Sequence, residues 1–523
     1  MATTLAPPAP AVAPSLKKAL VIGCAMAAMF MQTLDQTIAN VALPAMQGSM
    51  AASRDQISWV LTSYIIASAI MTAPVGWLAA RFGKRRLIFI SVVGFTAASA
   101  LCGAAQNLEQ VVIFRLLQGA FGAALGPLSQ TIMIDMNPPE RRAQVMGVWG
   151  MGVMLGPILG PTLGGLLTDA YSWRWVFYIN VPVGIAAAIG LLLWYEDTGQ
   201  DKTMRFDWFG FGLLMLGLGA LQLMLDRGSS NDWFSSAEIT AEAILGALGL
   251  YLFVVHIMTA KKPFIRMEIF RDRNFVSATT LMFVTGGLLV ASSALLAPYL
   301  QTLGGYSVTD AGLLMVPRGI GTLMTMAVVG RVTMRFDARY VITIGAATLL
   351  FTLWEMSTWT PNVSTWTLTW VGFVQGFGMG FIFVPVNLVA FSTIPPELRT
   401  DASAMMNLLR NIGAAISVSV TTAVLTTSMQ VLHAEMASTI NPFNRALDVN
   451  APSMMWNIHM PFGLQQINSV ITNNAMQIAY SNDFLFMFYF SLPVLLFVWL
   501  MRKPQLPGTQ PAGAPPAAPH VAE

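Results

Sequence analysis

Five ionisable residues stand inside stretches that are otherwise apolar: Asp35, Arg115, Arg318, Glu355 and Arg410. A charge inside an apolar membrane-length helix costs at least about 2.5–3.5 kcal/mol, so such residues mark relays, pathways or ion pairs. A helical rise of about 1.5 Å per residue turns position into depth. Counted from opposite ends of their runs, Asp35 and Arg115 reach nearly the same depth in an apolar layer of about 30 Å. A pair of opposite charge is therefore geometrically open to them. One reading is a static pair that sets helix register. The other is a proton switch, in which making and breaking the pair changes the proton affinity of the carboxylate. Arginine does not usefully lose its proton, so Asp35 would be the carrier.

Arg318 and Arg410 come out near mid-depth on two further runs. Glu355 lies in the outer half of its run and is a candidate to neutralise one of them. Their bland role is hydrogen bonding across helices. Their functional role would be attraction of an anionic or weakly acidic substrate. Met31, Trp59 and Tyr64 are candidates to line an adaptable apolar cavity, since Met and aromatic side chains repack readily around varied ligands.

The elements that carry these residues follow from composition. Of the 523 residues, 55% are hydrophobic and only 10% charged, against about 25% charged in soluble proteins. That balance excludes a soluble enzyme, a disordered scaffold and a coiled coil. Net charge is +3 and spread along the chain, so no nucleic-acid footprint is visible. Cys24 and Cys102 lie in apolar runs, and the four histidines are scattered, which leaves no disulfide framework and no metal site. No Walker-type phosphate loop occurs, so ATP is not the driver unless a separate subunit supplies it, and no cofactor is expected.

Fourteen apolar runs are long enough to span a bilayer, from 20–43 to 480–501. The first is too long for a cleavable signal and contains Asp35, Gln36 and Asn40. The tails 1–16 and 504–523 are rich in Pro and Ala and read as disordered. Alternate loops and both tails hold 21 Lys and Arg, and the opposite loops hold 4. The basic side is the cytoplasmic one by the positive-inside rule, which puts both termini inside. Residues 427–479 read as one long external loop of low charge.

The chain also repeats. Gly76-Trp-Leu-Ala-Ala-Arg81-Phe82-Gly83-Lys84-Arg85 aligns with Gly330 through Arg335-Phe336 to Arg339 at an offset of 254. Gln118-Gly119 aligns with Gln375-Gly376, and Pro138-Pro139-Glu140 with Pro395-Pro396-Glu397, both at 257. The implied architecture is an all-α membrane protein with two six-helix halves and an extra helix pair. The divisions are 17–195, 196–274 for the pair, and 275–503 including the external loop.

These motifs resemble the major facilitator superfamily, and within it the fourteen-spanning drug:proton antiporters of the EmrB/QacA type. The resemblance is carried by Leu34-Asp35-Gln36-Thr37-Ile38-Ala39-Asn40 to Pro44 in the first run and by Arg115-Leu-Leu-Gln118-Gly119 in the fourth. Gly152-Val-Met-Leu-Gly156-Pro157-Ile-Leu-Gly160-Pro161 looks like the antiporter motif of the fifth. Trp173-Arg174-Trp175 through Asn180 to Gly184 is similar to the fourteen-spanning members generally, while Leu225-Asp226-Arg227-Gly228, followed by Asp232-Trp233-Phe234, and Asn441-Pro442-Phe443-Asn444 resemble the EmrB branch.

The resemblance implies a major facilitator fold and proton-coupled export of amphiphilic drugs by alternating access. It implies Asp35 and Arg115 in proton coupling. A cytoplasmic gate would involve Gly76, Arg81, Gly83, Lys84, Arg85, Arg335 and Arg339. It further implies a bacterial inner-membrane location, and partnership with a periplasmic membrane-fusion adaptor and an outer-membrane duct. The family's loop motif carries an acidic residue where this chain has Ala80, so the basic residues there need other acids or helix C-termini. Gly152, Gly156 and Gly160 line one face for close helix approach, and Pro157 and Pro161 would kink the helix. Export of one endogenous metabolite or siderophore, or a channel or receptor on the same fold, are the competing functions. An enzyme is disfavoured because no nucleophile–base or metal constellation is visible.

Overall fold

The computed structural model describes residues 14–196, 199–260, 263–441 and 460–501. Residues 1–13 and 504–523 of the expected tails lie outside the described residues, and the first helix already begins at Pro14. Among the described residues every regular element is helical. In hydrocarbon each backbone amide must be satisfied within its own segment, and helices do this locally.

The first half contains α1 (Pro14–Met50), α2 (Arg54–Thr72), α3 (Val75–Phe82), α4 (Lys84–Ala104), α5 (Leu108–Gly122), α6 (Leu125–Asp135), α7 (Arg142–Ala170), α8 (Trp175–Tyr178) and α9 (Asn180–Trp194). An inserted pair follows, α10 (Trp208–Arg227) and α11 (Ala237–Thr259). The second half contains α12 (Arg273–Thr302), α13 (Val308–Arg335), α14 (Ala338–Ser357), α15 (Thr365–Ser392), α16 (Arg399–Ser438), α17 (Pro461–Ser491) and α18 (Pro493–Trp499).

Thirteen stretches are long and apolar enough to cross a membrane, and the bent pair α2–α3 completes fourteen. That pair turns by 58° at a break. Pro74 lies at the break; it has no amide hydrogen to donate and its ring crowds the preceding turn. By contrast α7 stays one continuous helix through Pro157 and Pro161, so the expected kink does not interrupt it.

The internal repeat is visible in packing. α1 lies along α7 as α12 lies along α16, and α2 lies along α5 as α13 lies along α15. The halves meet through α7 against α13 and through α2 and α3 against α16. The inserted pair forms a tight hairpin, where a Cβ on Gly217 would stand 2.7 Å from the Leu250 nitrogen. It rests on both α2 and α16.

The reading of 427–479 as one loop is corrected. α16 continues to Ser438 and α17 begins at Pro461, while 442–459 lie outside the described residues. The span ends where hydropathy falls, but the helix does not. Ala-, Met-, Glu- and Gln-containing sequence keeps its helical preference in water. The two extensions stand side by side, with His433 Nε2 3.1 Å from Asn468 Oδ1.

Candidate functional site

Asp35 lies midway along α1, and its placement begins with glycine. On α7, Gly152, Gly156, Gly160 and Gly164 face α1 at intervals of one turn. A Cβ on Gly156 would stand 2.7 Å from the Leu34 nitrogen, the residue before Asp35. Thr37 Oγ1 donates to the Gly156 carbonyl at 3.1 Å. These contacts fix both the height and the rotation of α1.

The structure brings Asp35 and Arg115 together. Arg115 Nη1 donates to Asp35 Oδ2 at 2.6 Å, and both side chains are fully buried. Asp35 Oδ1 accepts from Gln118 Nε2 at 2.9 Å and from Asn180 Nδ2 at 3.0 Å. Arg115 also donates to the Val60 carbonyl at 3.1 Å and to Gln118 Oε1 at 3.0 Å. Its guanidinium lies 4.2 Å from the centre of the Tyr64 ring. Asn180 is held in turn by Ser99 Oγ at 3.1 Å, and Ser99 donates to the Phe177 carbonyl at 2.8 Å. Asp35 thus has three donors, and five helices and the start of α9 contribute to the cluster. A buried ion pair tolerates its desolvation only when its remaining hydrogen-bonding capacity is met in this way. Losing one partner leaves an isolated buried charge.

At the end of the molecule that carries the Lys and Arg excess, the halves are sewn together. Asp135 accepts from Lys84 at 2.6 Å and from Arg399 of the second half at 2.7 Å. Gly76 admits Asp401 of the second half, whose Cγ would lie 2.6 Å from a Cβ there. Asp401 also pairs with Arg266 at 3.3 Å. The repeat mirrors this contact, since Gly330 lies against Ala143 and Gln144 at 2.9 Å on the same basis. Gly83, at φ +85°, turns the chain between α3 and α4 in a region that favours glycine.

Arg85 donates to the Leu192 carbonyl in the last turn of α9 at 2.5 Å. The interaction suits a cation at a helix C-terminus. Outside the spans, the hydrogen bond from Lys17 holds the exposed Glu196 carboxyl below the usual range. Arg81 is half-buried with one nitrogen lacking a partner. Arg335 is exposed, and Arg339 pairs with Asp337 of its own loop at 2.9 Å. The structure therefore places neither Arg335 nor Arg339 across the seam, contrary to the sequence expectation. Asp135 and Arg399 occupy it instead.

Arg318 is buried and donates to Ser293 Oγ, Ser292 Oγ and the Leu289 carbonyl at 2.9, 2.9 and 3.0 Å. By the 254 offset it stands where Tyr64 stands in the first half, and by the 257 offset Gly372 stands in the place of Arg115. Cβ of Arg318 lies 3.8 Å from a Cβ built on Gly372. The second half thus carries a guanidinium in the corresponding region but, among the described residues, no carboxylate paired with it. Glu355 pairs with neither Arg318 nor Arg410 among the described residues, so the proposed neutralisation is corrected. Depth along a helix does not say which way a side chain faces.

Between the halves lies a small cavity lined by Gln130, Trp149, Phe383, Asn387, Asn407 and Arg410, with two methionines. Of the candidate cavity residues, Met31 and Tyr64 are instead buried inside the first half, and Trp59 is 37% exposed on α2. Gln130 Nε2 donates to Asn387 Oδ1 at 2.6 Å, and Ser403 Oγ donates to Gln130 Oε1. Trp149 and Phe383 stack at 5.9 Å. This amide cluster was missed in sequence. Its available signal was two amides in apolar runs, Gln130 and Asn387, at the repeat offset of 257.

Comparison with known proteins agrees with this architecture. The Major Facilitator Superfamily profile matches residues 25–418. Multidrug export protein EmrB of Escherichia coli K12 is 34% identical over 485 residues, covering 91% of this chain and 94% of that one. Fatty acid resistance protein FarB of Neisseria gonorrhoeae is also 34% identical over 485 residues, with the same coverage. The crystal structure of the human organic anion transporter MFSD10 shares the fold at a TM-score of 0.58 and 14% identity, covering 92% of this chain and all of that one.

Proposed function

The chain belongs to the Major Facilitator Superfamily, among its EmrB-type drug transporters, and from that premise we propose that it exports amphiphilic toxic compounds in exchange for protons. The membrane is the bacterial inner membrane, and the basic end faces the cytoplasm. The observation that carries the reading is the Asp35–Arg115 pair, fully buried at 2.6 Å, with Gln118 and Asn180 also donating to Asp35. Rocking of the halves strains the helices that build this cluster. Separation from Arg115 favours proton uptake by Asp35, and reunion favours release. Contacts at the basic end and about 8 Å further in hold the halves closed toward the cytoplasm here, so opening inward must break Asp135–Arg399 and Gln130–Asn387.

Arg410 lines the central cavity with no carboxylate paired to it among the described residues. A substrate bearing a negative charge would supply the missing anion. That favours weakly acidic or anionic amphiphiles, and a relative at 34% identity is named for fatty acid resistance. Export of one endogenous anionic metabolite is the second reading that the same observation supports.

The paired extensions of α16 and α17 expose Val431, Phe462, Leu464 and Val470. They are the surface on which a periplasmic membrane-fusion adaptor, itself joined to an outer-membrane duct, would dock.

The test uses the full chain in liposomes of phosphatidylethanolamine and phosphatidylglycerol. Movement of an anionic dye (anilinonaphthalene sulfonate) and a cationic one (ethidium) is followed under an imposed pH gradient. Gradient-driven transport that stops in Asp35→Asn is expected. Transport indifferent to collapse of the gradient would sink the proton-driven reading.

A further inference from the structure

Asp483 on α17 is fully buried, and among the described residues neither of its carboxylate oxygens has a hydrogen-bond partner. Asp35 has three donors in the same fold, so the contrast is internal to the molecule. α17 packs on α12, α14, α16 and α18. Their ionisable groups are accounted for elsewhere. On α12, Arg273 is the first residue of the helix, and the Tyr299 hydroxyl donates to the Thr360 carbonyl at 3.3 Å. On α14, Arg339 pairs with Asp337, Tyr340 meets Trp499 edge to face and Glu355 adds a second acid rather than a cation. On α16, Arg399 pairs with Asp135, Asp401 with Arg266, His433 meets Asn468 and Arg410 lines the central cavity. Glu435, beyond them, is a further acid. α18 carries no ionisable residue. On α17 itself the phenol of Tyr480 is the neighbour one turn away, its ring 5.3 Å from that of Tyr299.

An ionised carboxylate here has no cation and no donor to offset its lost hydration. A neutral carboxylic acid carries no charge and needs far fewer partners, since it presents a hydroxyl of its own. The site therefore suits a carboxyl that holds a proton.

Its height follows from a match that extends the internal repeat. Phe177-Tyr178-Ile179-Asn180-Val181-Pro182-Val183 corresponds to Phe488-Tyr489-Phe490-Ser491-Leu492-Pro493-Val494. Ser491 thus marks the level of Asn180, the residue that donates to Asp35. Asp483 lies eight residues before Ser491, which is about 12 Å nearer the non-basic face. A proton entering from that face reaches the level of Asp483 before that of Asp35, and in the other half of the molecule.

We propose that Asp483 is a second proton-binding site, loaded in the conformation described here and discharged when the packing of α17 changes. Its place in a transport cycle rests on the proton-driven reading; its occupancy by a proton does not.

The test is infrared difference spectroscopy of the purified full chain between acidic and alkaline buffer, read at the carbonyl stretch of protonated carboxyl groups. Asp483→Asn should remove one component of that band, and Asp35→Asn should leave that component in place. Asp483→Glu should shift the component rather than abolish it, which keeps the test open if the amide variant folds poorly. Thermal unfolding of each variant is recorded alongside. A band unchanged in correctly folded Asp483→Asn, or a glutamate variant with no shifted component, would overturn the assignment. Failure of wild-type liposomes to respond to a pH gradient would overturn proton-driven export while leaving the band as it was.

Discussion

Gln130 and Asn387 hydrogen-bond to each other at 2.6 Å across the two halves, and they are the same position of the repeat, 257 residues apart. Equivalent residues of a twofold repeat can touch only close to its axis. This bond therefore marks the centre about which the halves are related. Gln130 also accepts from Ser403, so one side chain of the first half ties down two helices of the second.

Removing that tie should loosen the closed side. In Gln130→Ala, Asn387 keeps its donor bond to the Phe383 carbonyl at 2.7 Å but loses the donor to its Oδ1. An acceptor left buried and unpaired costs about 1–3 kcal/mol. That is enough to shift a balanced two-state equilibrium several-fold. A cysteine placed at Gln144 should become more reactive to a hydrophilic reagent from the basic side. Equal labelling in wild type and variant would contradict a central tie.

The ion pair should behave as a unit. Asp35→Asn leaves Arg115 buried without its counter-charge, a loss of about 3–5 kcal/mol for a broken buried pair. Asp35→Asn with Arg115→Met should recover much of the stability and none of the gradient-driven transport. Thermal unfolding of the four members of the cycle gives the coupling. Additive losses would mean the two residues act separately.

Glycine spacing on α7 gives a controlled pair of variants. Gly156→Ala places a Cβ 2.5 Å from the Thr33 carbonyl carbon and 2.7 Å from the Leu34 nitrogen, and backbone cannot yield there. A cost of about 1–3 kcal/mol is expected for such overpacking, with transport lost because Asp35 is displaced. Gly165→Ala, on the same helix, meets nothing within 4 Å and should be tolerated. Similar behaviour of the two would show that close approach to α1 is not the reason for the glycines.

The seam at the basic end separates two kinds of arginine. Asp135→Asn breaks the contacts to Lys84 and Arg399 together and should raise inward-open accessibility at Gln144→Cys. Arg335→Ala, at an exposed position that makes none of the ion pairs of the seam among the described residues, should change neither accessibility nor transport. Partly exposed pairs contribute about 0–1 kcal/mol each, so the effect is read as a population shift rather than unfolding. A strong gating defect in Arg335→Ala would restore the role the repeat had suggested for it.

The legible and illegible parts of this molecule divide along physical lines. Depth is linear in residue number, so the meeting of Asp35 and Arg115 could be computed from two run boundaries. Facing is not, because a helix turns by 100° per residue and its absolute rotation is set by neighbours. Depth alone therefore offers Glu355 partners it does not touch, and offers Met31 and Tyr64 a cavity when they belong to a half's interior. Asn180 and Gln118 hold Asp35 without disturbing hydropathy, so nothing in composition announced them. Hydropathy reports the edge of the bilayer, so in sequence the stretch beyond residue 426 reads as a loop. Helix termination is governed by caps and breakers, and α16 meets none before Thr439.

The uninterrupted course of α16 has a mechanical consequence. Its 40 residues amount to a rod about 60 Å long. One end is pinned at Arg399 and Asp401 beside the seam, and the other lies at Ser438, about twice as far away as a bilayer core of about 30 Å is thick. A rigid rod converts a small tilt at its base into a proportionally large sweep at its tip, with no need for a signal to pass from residue to residue. Whatever leans on the tip is moved each time the basic end opens. Equally, a load applied at the tip bears on the Asp135–Arg399 contact through the whole length of the rod. A fluorophore pair spanning Ala437 and the far end of α1 would record the sweep directly, and a tip that stays still through turnover would show that the rod bends.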